Sequence, residues 1–354
     1  MNICILISSL NYGGSSQIAV DLACGLKDKG NFVTVITLWD TNDNKYVEKL
    51  VSKTIEIKTC NKKGKFDFLC YKRLRKMLKE GNYDVVNTHL TSLFYCFLAK
   101  PSQNVVHTIH SVPALDIPRI YRALMKRWIH RHNVFFISCS NDIYDKAVLC
   151  YKGQRIELII NGFNPPACNF TKTPIKDFDF IYAGRLVSMK NINELITAFS
   201  LINKNHDKKL CIVGDGPERN KLEKMCLDNG VANVHFTGNI DNVFDYLYKS
   251  KIFCLFSDFE GGPICLLEAM NCGLPIVCSN IGGNKTYASN GKNALFFKLH
   301  DIDEAKNMMA KLLEDKKLYD KMSFEAYKTA KENCVENMVD KYEALFLRLR
   351  NGQN

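Results

Sequence analysis

The sequence predicts an α/β protein made of two doubly wound domains. Three observations carry this. The chain has 354 residues, more than one compact core ordinarily takes. Short β-branched, apolar runs alternate with segments of helical spacing, the pattern of a parallel sheet covered on both faces. The alternation breaks once, near the middle, and then restarts.

Before the break, strands are expected at residues 2–8, 32–38, 84–88, 105–109, 134–139 and 156–160, with helical stretches such as 16–29 and 66–79 between them. Proline and glycine then cluster in Asn161-Gly-Phe-Asn-Pro-Pro, followed by Pro174, and the periodicity stops, which marks a linker. Strands resume at 178–183, 209–213, 234–236, 252–256 and 275–278, separated by helices at 191–203, 218–229, 242–250 and 263–271. Residues 301–350 read as almost wholly helical, with Met, Leu, Tyr and Phe at helical spacing. Two such domains would face each other across a central cleft at the carboxyl edges of their strands, where ligands of open α/β sheets bind.

Composition narrows the class. Hydrophobic residues make up 46% and charged residues 24%, the balance of a soluble globular protein. The first residues lack a basic leader region, and their apolar run is too short for a signal peptide or a membrane span. Of 15 cysteines no two are spaced Cys-x-x-Cys, and most sit in apolar segments, among them Cys4, Cys139, Cys211, Cys254 and Cys278. They read as small hydrophobes in a reducing compartment, not as a disulfide frame or a zinc site. The net charge of +11 is uneven: residues 1–165 hold 23 Lys and Arg against 13 Asp and Glu, the remainder 25 against 24. A basic first half points to an anionic partner surface.

The chemistry concentrates at strand ends. Glu260 and Glu268 flank Gly261-Gly262-Pro263, a turn that opens a helix after the strand at 252–256. Two glutamates at this spacing are usually solvated surface charge; the Gly-Gly-Pro turn sets these apart. It places one carboxylate beside the unpaired N–H groups of a helix start, where an anion or sugar oxygens would bind. Ionised carboxylates only accept, so they suit sugar and ribose hydroxyls. In Ala183-Gly184-Arg185-Leu-Val-Ser-Met-Lys190-Asn191, two cations flank a strand-to-helix loop, as a diphosphate leaving group requires. Gly214-Asp-Gly216-Pro217 and Gly13-Gly14 are further tight turns at strand edges; neither completes Gly-x-Gly-x-x-Gly. His110 ends a first-half strand; a lone histidine is more often structural, but this position makes it a candidate for the cleft.

Together these motifs resemble the retaining glycosyltransferase family 4, of the bacterial surface-polysaccharide type, whose fold is called GT-B. The resemblance covers nearly the whole chain and is most specific from Gly184 to Gly291. Its carriers are the run Gly184 to Asn191, Gly214 to Pro217, Phe236-Thr-Gly238, the Glu260-x7-Glu268 pair, Asn161-Gly162 before the linker, and His110. It implies an acceptor-binding domain over residues 1–165, joined by the C-terminal helix at about 336–354, and a donor-binding domain over 173–335. It also implies roles. Arg185 and Lys190 would neutralise the donor diphosphate, and the backbone of Gly14 would approach it. Glu268 would bind the ribose, and main-chain groups of Gly238-Asn-Ile240 would hold the base. Glu260 with the backbone of Gly261 and Gly262 would grip the transferred sugar, and His110 would touch that sugar near the reacting centre. Gly184, Gly214 and Leu267 join the donor side.

Two departures bear on substrate. The commoner family form is Glu-Gly-Phe-Gly, whereas this chain has Glu260-Gly-Gly-Pro263; the usual histidine–aspartate pair is His110-Ser111. Glu-Gly-x-Pro resembles members that use UDP-linked Gal, GalNAc or GlcNAc. The implied reaction is retaining, with no enzymic nucleophile, and the acceptor is a glycan, polyprenyl-diphosphate-linked, in O-antigen or capsule synthesis. No cofactor or metal is expected: Asp177 and Asp179 precede a strand, and Asp301 and Asp303 mark a helix start. Arg119, Arg122, Lys126, Arg127 and Arg131, interleaved with Tyr121, Leu124, Trp128 and Ile129, suit an anionic membrane surface, as does the run Lys72, Arg73, Arg75, Lys76 and Lys79. A cytoplasmic protein on the inner face of the membrane is therefore expected. Nucleic acid is disfavoured because no recognition module accompanies the charge. A nucleotide-sugar epimerase of the same fold and a non-catalytic partner subunit are the competing readings.

Overall fold

The computed structural model describes residues 1–11, 13–41, 44–64, 67, 69–113, 117–164, 176–205 and 207–353. The chain divides into two compact units, Met1–Asn164 with Val335–Asn354, and Pro165–Cys334.

The first unit is a parallel sheet of seven strands: β1 (Asn2–Ile7), β2 (Phe32–Thr37), β3 (Glu56–Thr59), β4 (Val85–His89), β5 (Asn104–Ile109), β6 (Phe135–Ser138) and β7 (Ile156–Leu158). Their order is β3-β2-β1-β4-β5-β6-β7. Helices α1 (Gly14–Asp28), α2 (Lys45–Ser52), α3 (Cys70–Glu80), α4 (Ser92–Ala99), α5 (Arg122–Arg131) and α6 (Asn141–Cys150) make the crossovers. From Ile3 to Ile7 every residue of β1 is fully buried, which explains its unbroken apolar run. Strand order reverses between β1 and β4, so the loops leaving those two strands splay apart and open a crevice at their carboxyl ends.

The second unit repeats the plan with β8 (Phe178–Ala183), β9 (Leu210–Val213), β10 (Val234–Gly238), β11 (Ser250–Leu255), β12 (Ile276–Ser279) and β13 (Ala294–Phe297), in the order β10-β9-β8-β11-β12-β13. Its helices are α7 (Ile192–Ile202), α8 (Arg219–Asp228), α9 (Phe244–Leu247), α10 (Ile264–Asn271), α11 (Ile302–Glu314) and α12 (Lys316–Glu332). The reversal lies between β8 and β11. Both loops that carry the sequence motifs leave from these two strands.

The last helix, α13 (Val335–Arg350), returns to the first unit and packs on α1. Val335, Met338, Val339, Tyr342, Leu345, Phe346 and Leu349 form its buried stripe. Polar ties fix its position: Lys29 to Asp340 at 2.7 Å, Asn31 to Glu343 at 2.6 Å and Arg348 to Glu157 at 2.7 Å.

Some details differ from the sequence expectation. Strands β3 and β13 were not anticipated. The helix expected over 242–250 shrinks to α9, because Ser250 is already the first residue of β11 and its hydroxyl closes the turn onto the Tyr246 carbonyl at 2.8 Å. Residues 66 and 68 of the helix expected at 66–79 lie outside the described residues, and α3 begins at Cys70. The described cysteines are all free and mostly buried. Asp179 ties three strand starts together, accepting from the Lys209 N–H at 2.9 Å and pairing with Lys251 at 2.7 Å. Asp301 caps α11 by accepting from the Glu304 N–H at 2.9 Å. No helix among the described residues is long and apolar enough to cross a membrane.

Candidate active site

In the second unit, three loops interlock at the carboxyl ends of β8, β9 and β10. The Gly184 N–H donates to the Val213 carbonyl at 3.0 Å, the Leu186 N–H to Asp215 at 2.9 Å and the Gly214 N–H to Gly238 at 3.0 Å. Gly214 has φ 122°, and a Cβ there would fall 2.1 Å from the Gly184 carbonyl oxygen, so only glycine lets these loops meet. The carbonyl of Gly238 is already occupied by Gly214 and by the Thr237 hydroxyl at 2.8 Å. Ile240 lies just beyond, half-buried.

Arg185 and Lys190 leave this platform differently. Arg185 is exposed and forms no ion pair among the described residues. Lys190, in the turn before α7, donates to Glu260 Oε1 at 2.5 Å. Its neighbour Asn191 adopts φ 49° and donates to the Phe256 carbonyl at 3.1 Å and to Asp258 at 2.5 Å. The β8 loop is therefore clasped to the β11 loop across the switch point.

Glu260 is only 8% exposed, and the Ser257 hydroxyl also donates to its Oε1, at 2.6 Å. Behind Ser257, its carbonyl accepts from Ser279 at 2.7 Å, and Asn284 donates to the Ser279 carbonyl at 2.9 Å. Gly283 packs so tightly that a Cβ would lie 1.8 Å from the Glu260 carbonyl oxygen. Ser257, Ser279, Gly283 and Asn284 were not assigned roles from sequence. Ser257 was signalled by its place beside Glu260, but the others come from a separate strand end.

Gly262 is buried with φ 116°, and Gly261 is half-buried. Pro263, expected in the first turn of the helix, is its N-cap instead, with ψ 115°, and α10 starts at Ile264. Glu268 is half-buried further along α10. Between the glutamates, burial and the charge of Glu260 push the Cys265 thiol up, which leaves it protonated and unreactive. Leu267 is fully buried, so the donor-side role expected of it does not extend to its side chain, which packs in the core.

In the first unit, Gly14 is the first residue of α1, with open space where a Cβ would stand. His110 follows β5 and meets His89, the last residue of β4, with 2.8 Å between His110 Nε2 and His89 Nδ1. His89 is wholly buried, and burial, followed by the charges of His110 and His107, holds its imidazole well below the ordinary range. His89 was missed in the sequence, although it shares with His110 the strand-end position that singled the latter out.

The basic helices look different in three dimensions. On α5, Trp128 and Ile129 are buried, Trp128 edge-on to Phe97 with centroids 5.5 Å apart. They belong to the core and not to an exposed apolar face. The exposed apolar residues here are Ile120, just before α5, and Leu124. On α3, Arg73 is engaged internally, by Asp67 and by the Cys60 carbonyl at 2.6 Å.

The profile of the family described as Glycosyl transferases group 1 matches residues 169–329, and that of Glycosyltransferase Family 4 matches residues 12–165. An Escherichia coli protein, UDP-Gal:alpha-D-GlcNAc-diphosphoundecaprenol alpha-1,3-galactosyltransferase, is 30% identical over 280 residues, 69% of this chain and 70% of its own length. The chain belongs to glycosyltransferase family 4. A Campylobacter jejuni protein, GalNAc-alpha-(1->4)-GalNAc-alpha-(1->3)-diNAcBac-PP-undecaprenol alpha-1,4-N-acetyl-D-galactosaminyltransferase, is 29% identical over 76% of this chain and 77% of its own length. Among solved structures, Anabaena HepE in complex with UDP and glucose superposes with a TM-score of 0.81 at 18% identity, covering 98% of this chain and 99% of that one. Two Rossmann-like parallel-sheet units are the GT-B fold that family 4 was expected to bring.

Proposed function

We propose that this family 4 enzyme transfers a hexose or N-acetylhexosamine, with retention, from a UDP-sugar to a polyprenyl-diphosphate-linked glycan in bacterial surface-polysaccharide synthesis. The observation that carries the reading is the Lys190–Glu260 pair at 2.5 Å. It joins the two loops of the switch point, with the exposed guanidinium of Arg185 on the same loop as Lys190. A cation and a buried carboxylate fixed side by side suit a ligand that carries a diphosphate next to a sugar. The relatives named above support the rest: one is named for UDP-Gal, both for diphosphoundecaprenol-type acceptors and alpha linkages.

In the proposed reaction the bond from the sugar C1 to the diphosphate oxygen breaks, and a bond from C1 to the acceptor hydroxyl oxygen forms on the same face. The hydroxyl proton passes to the departing phosphate oxygen, and UDP leaves. Arg185 and Lys190 hold the growing negative charge on UDP, which is the main task in such a transfer and needs no metal ion. Glu260 and the Gly261-Gly262 backbone hold the sugar, Glu268 the ribose, Gly238 to Ile240 the base, and Gly14 and His110 serve from the first unit. The donor role falls to the second unit and the acceptor role to the first. Docking of the first unit on an anionic membrane, through Ile120, Leu124 and the cations of α5, would bring it to a lipid-linked acceptor on the inner face.

A panel of UDP- and GDP-sugars, scored for nucleotide release with undecaprenyl-diphosphate-linked acceptors, tests the reading. Release of UDP from UDP-Gal, UDP-GalNAc or UDP-GlcNAc, coupled to acceptor extension, is expected. Epimerised sugar without extension would favour the epimerase reading. Binding and release of no donor at all would favour a partner subunit.

A further inference from the structure

We propose that Tyr182 is a positioning residue for Arg185: its hydroxyl holds the peptide group from which the Arg185 side chain is aimed at the departing diphosphate. This rests on the role proposed above for Arg185.

Tyr182 is the last residue but one of β8, and Gly184 follows the strand on the same face, because extended residues two apart point the same way. Any side chain at 184 would collide with the phenol: a Cβ there would stand 2.7 Å from the Tyr182 hydroxyl oxygen and 3.2 Å from Cζ. Glycine leaves that space to the hydroxyl, which reaches forward and donates to the Arg185 carbonyl at 3.0 Å. Tyr182 is wholly buried, so its hydroxyl needs such a partner. Burial also pushes the phenol well above its ordinary range, with Cys265 and Glu260 adding to the shift. The hydroxyl therefore keeps its proton, and goes on donating, at neutral pH.

The Arg185 carbonyl and the Leu186 N–H belong to one planar peptide group. Tyr182 holds its carbonyl, and the Asp215 carbonyl of the loop after β9 takes its N–H at 2.9 Å. The Val187 N–H is a second donor to the Arg185 carbonyl, at 3.1 Å. On the far side Leu186 is wholly buried, and its own carbonyl accepts from the Glu218 N–H at 3.1 Å. The plane is thus gripped at both ends, and its tilt sets the direction in which the Arg185 Cβ leaves the backbone. Arg185 depends on that, since its guanidinium is exposed and no ion pair among the described residues steers it. Lys190 differs, because Glu260 already fixes its ammonium. Loss of the phenol hydroxyl should be felt at Arg185.

The test crosses Tyr182→Phe with Arg185→Ala in the full chain, using the UDP-sugar that the wild type turns over. Phenylalanine keeps the ring that fills the core and removes only the hydroxyl. Tyr182→Phe should lower kcat about tenfold with donor KM little changed, because a displaced charge-stabilising group is missed mainly in the transition state. In the Arg185→Ala background the same substitution should change kcat less than about twofold, since nothing is left to position. Amide hydrogen exchange gives a readout that needs no turnover. The Leu186 amide should be protected in the wild type and should exchange about tenfold or more faster in Tyr182→Phe, with the Phe253 amide of β11 unchanged. Wild-type kcat in Tyr182→Phe, an equal loss repeated without Arg185, or equal acceleration at Leu186 and Phe253 overturns the proposal. So does an unprotected Leu186 amide in the wild type, which decides even where Tyr182→Phe fails to fold. If exchange behaves as stated but no sugar donor is turned over, the positioning contact stands and the transferase reading is what fails.

Discussion

Glu260 Oε1 takes two donors, Lys190 Nζ and Ser257 Oγ, and its carbonyl is pressed by Gly283. The carboxylate therefore cannot swing, and its second oxygen has a fixed direction. A hydrogen bond to a charged group contributes about 1.5–3 kcal/mol. Ser257→Ala should accordingly lower kcat/KM by roughly 10- to 100-fold. Arg185→Ala and Lys190→Ala should lower kcat by about 10²-fold or more, with a smaller effect on donor affinity, because the charge they meet develops as the bond breaks. Steady-state kinetics alongside donor titration separates the two effects; near-wild-type kcat in both cation variants would refute these roles. At this scale the sequence was half legible. Charge type and the Gly-Gly-Pro turn marked Glu260, and loop position marked Lys190. Their contact was not readable, since 70 residues separate them and only strand order brings them together.

Secondary-structure elements were more legible where they are buried on both faces. Strands β1 and β9 read as apolar runs because both sheet faces are covered. β3 escaped notice because Glu56-Ile-Lys-Thr59 is a short edge strand without a fully buried residue. β13 is another edge strand, only four residues long, just after the Asn290-Gly291 turn. The helix α5 teaches a related lesson. Charge and aromatic content were plain in sequence, but which side faced solvent was not, and Trp128 turned out to be core. The proposed membrane docking would rest on Ile120 and Leu124, exposed by 81% and 61%. Vesicle co-sedimentation should show binding to anionic but not neutral lipid, and Ile120→Ser with Leu124→Ser should weaken it about tenfold or more by removing two apolar insertions of roughly 1.5–3 kcal/mol each. Equal binding to both lipids, or no effect of the pair, would end the idea.

For the whole molecule, the two sheets and the break between them were legible because alternation and a proline-rich linker are local signals. The return of α13 to the first unit is a long-range event with no local mark. Its seven buried apolar residues would each contribute about 1.5–3 kcal/mol, a sum comparable with the whole stability of an ordinary domain. Deleting residues 335–354 should therefore unfold the first unit and leave the second intact. Limited proteolysis should then yield a resistant fragment spanning about residues 176–334. A truncated chain that melts like the full one, with both units protected, would show that α13 is dispensable.

The same return has a consequence during synthesis. A ribosome makes a chain at about 5–20 residues per second, and domains ordinarily fold in the order they emerge. Here the strands of the first unit emerge first but lack their closing helix until the second unit has been made in full. The face of α1 at Gly25 that Val339 will cover stays open for that interval, on the order of ten seconds or more at these rates. The nascent protein thus finishes its second unit first, and a chaperone that shields apolar surface would find its target on α1.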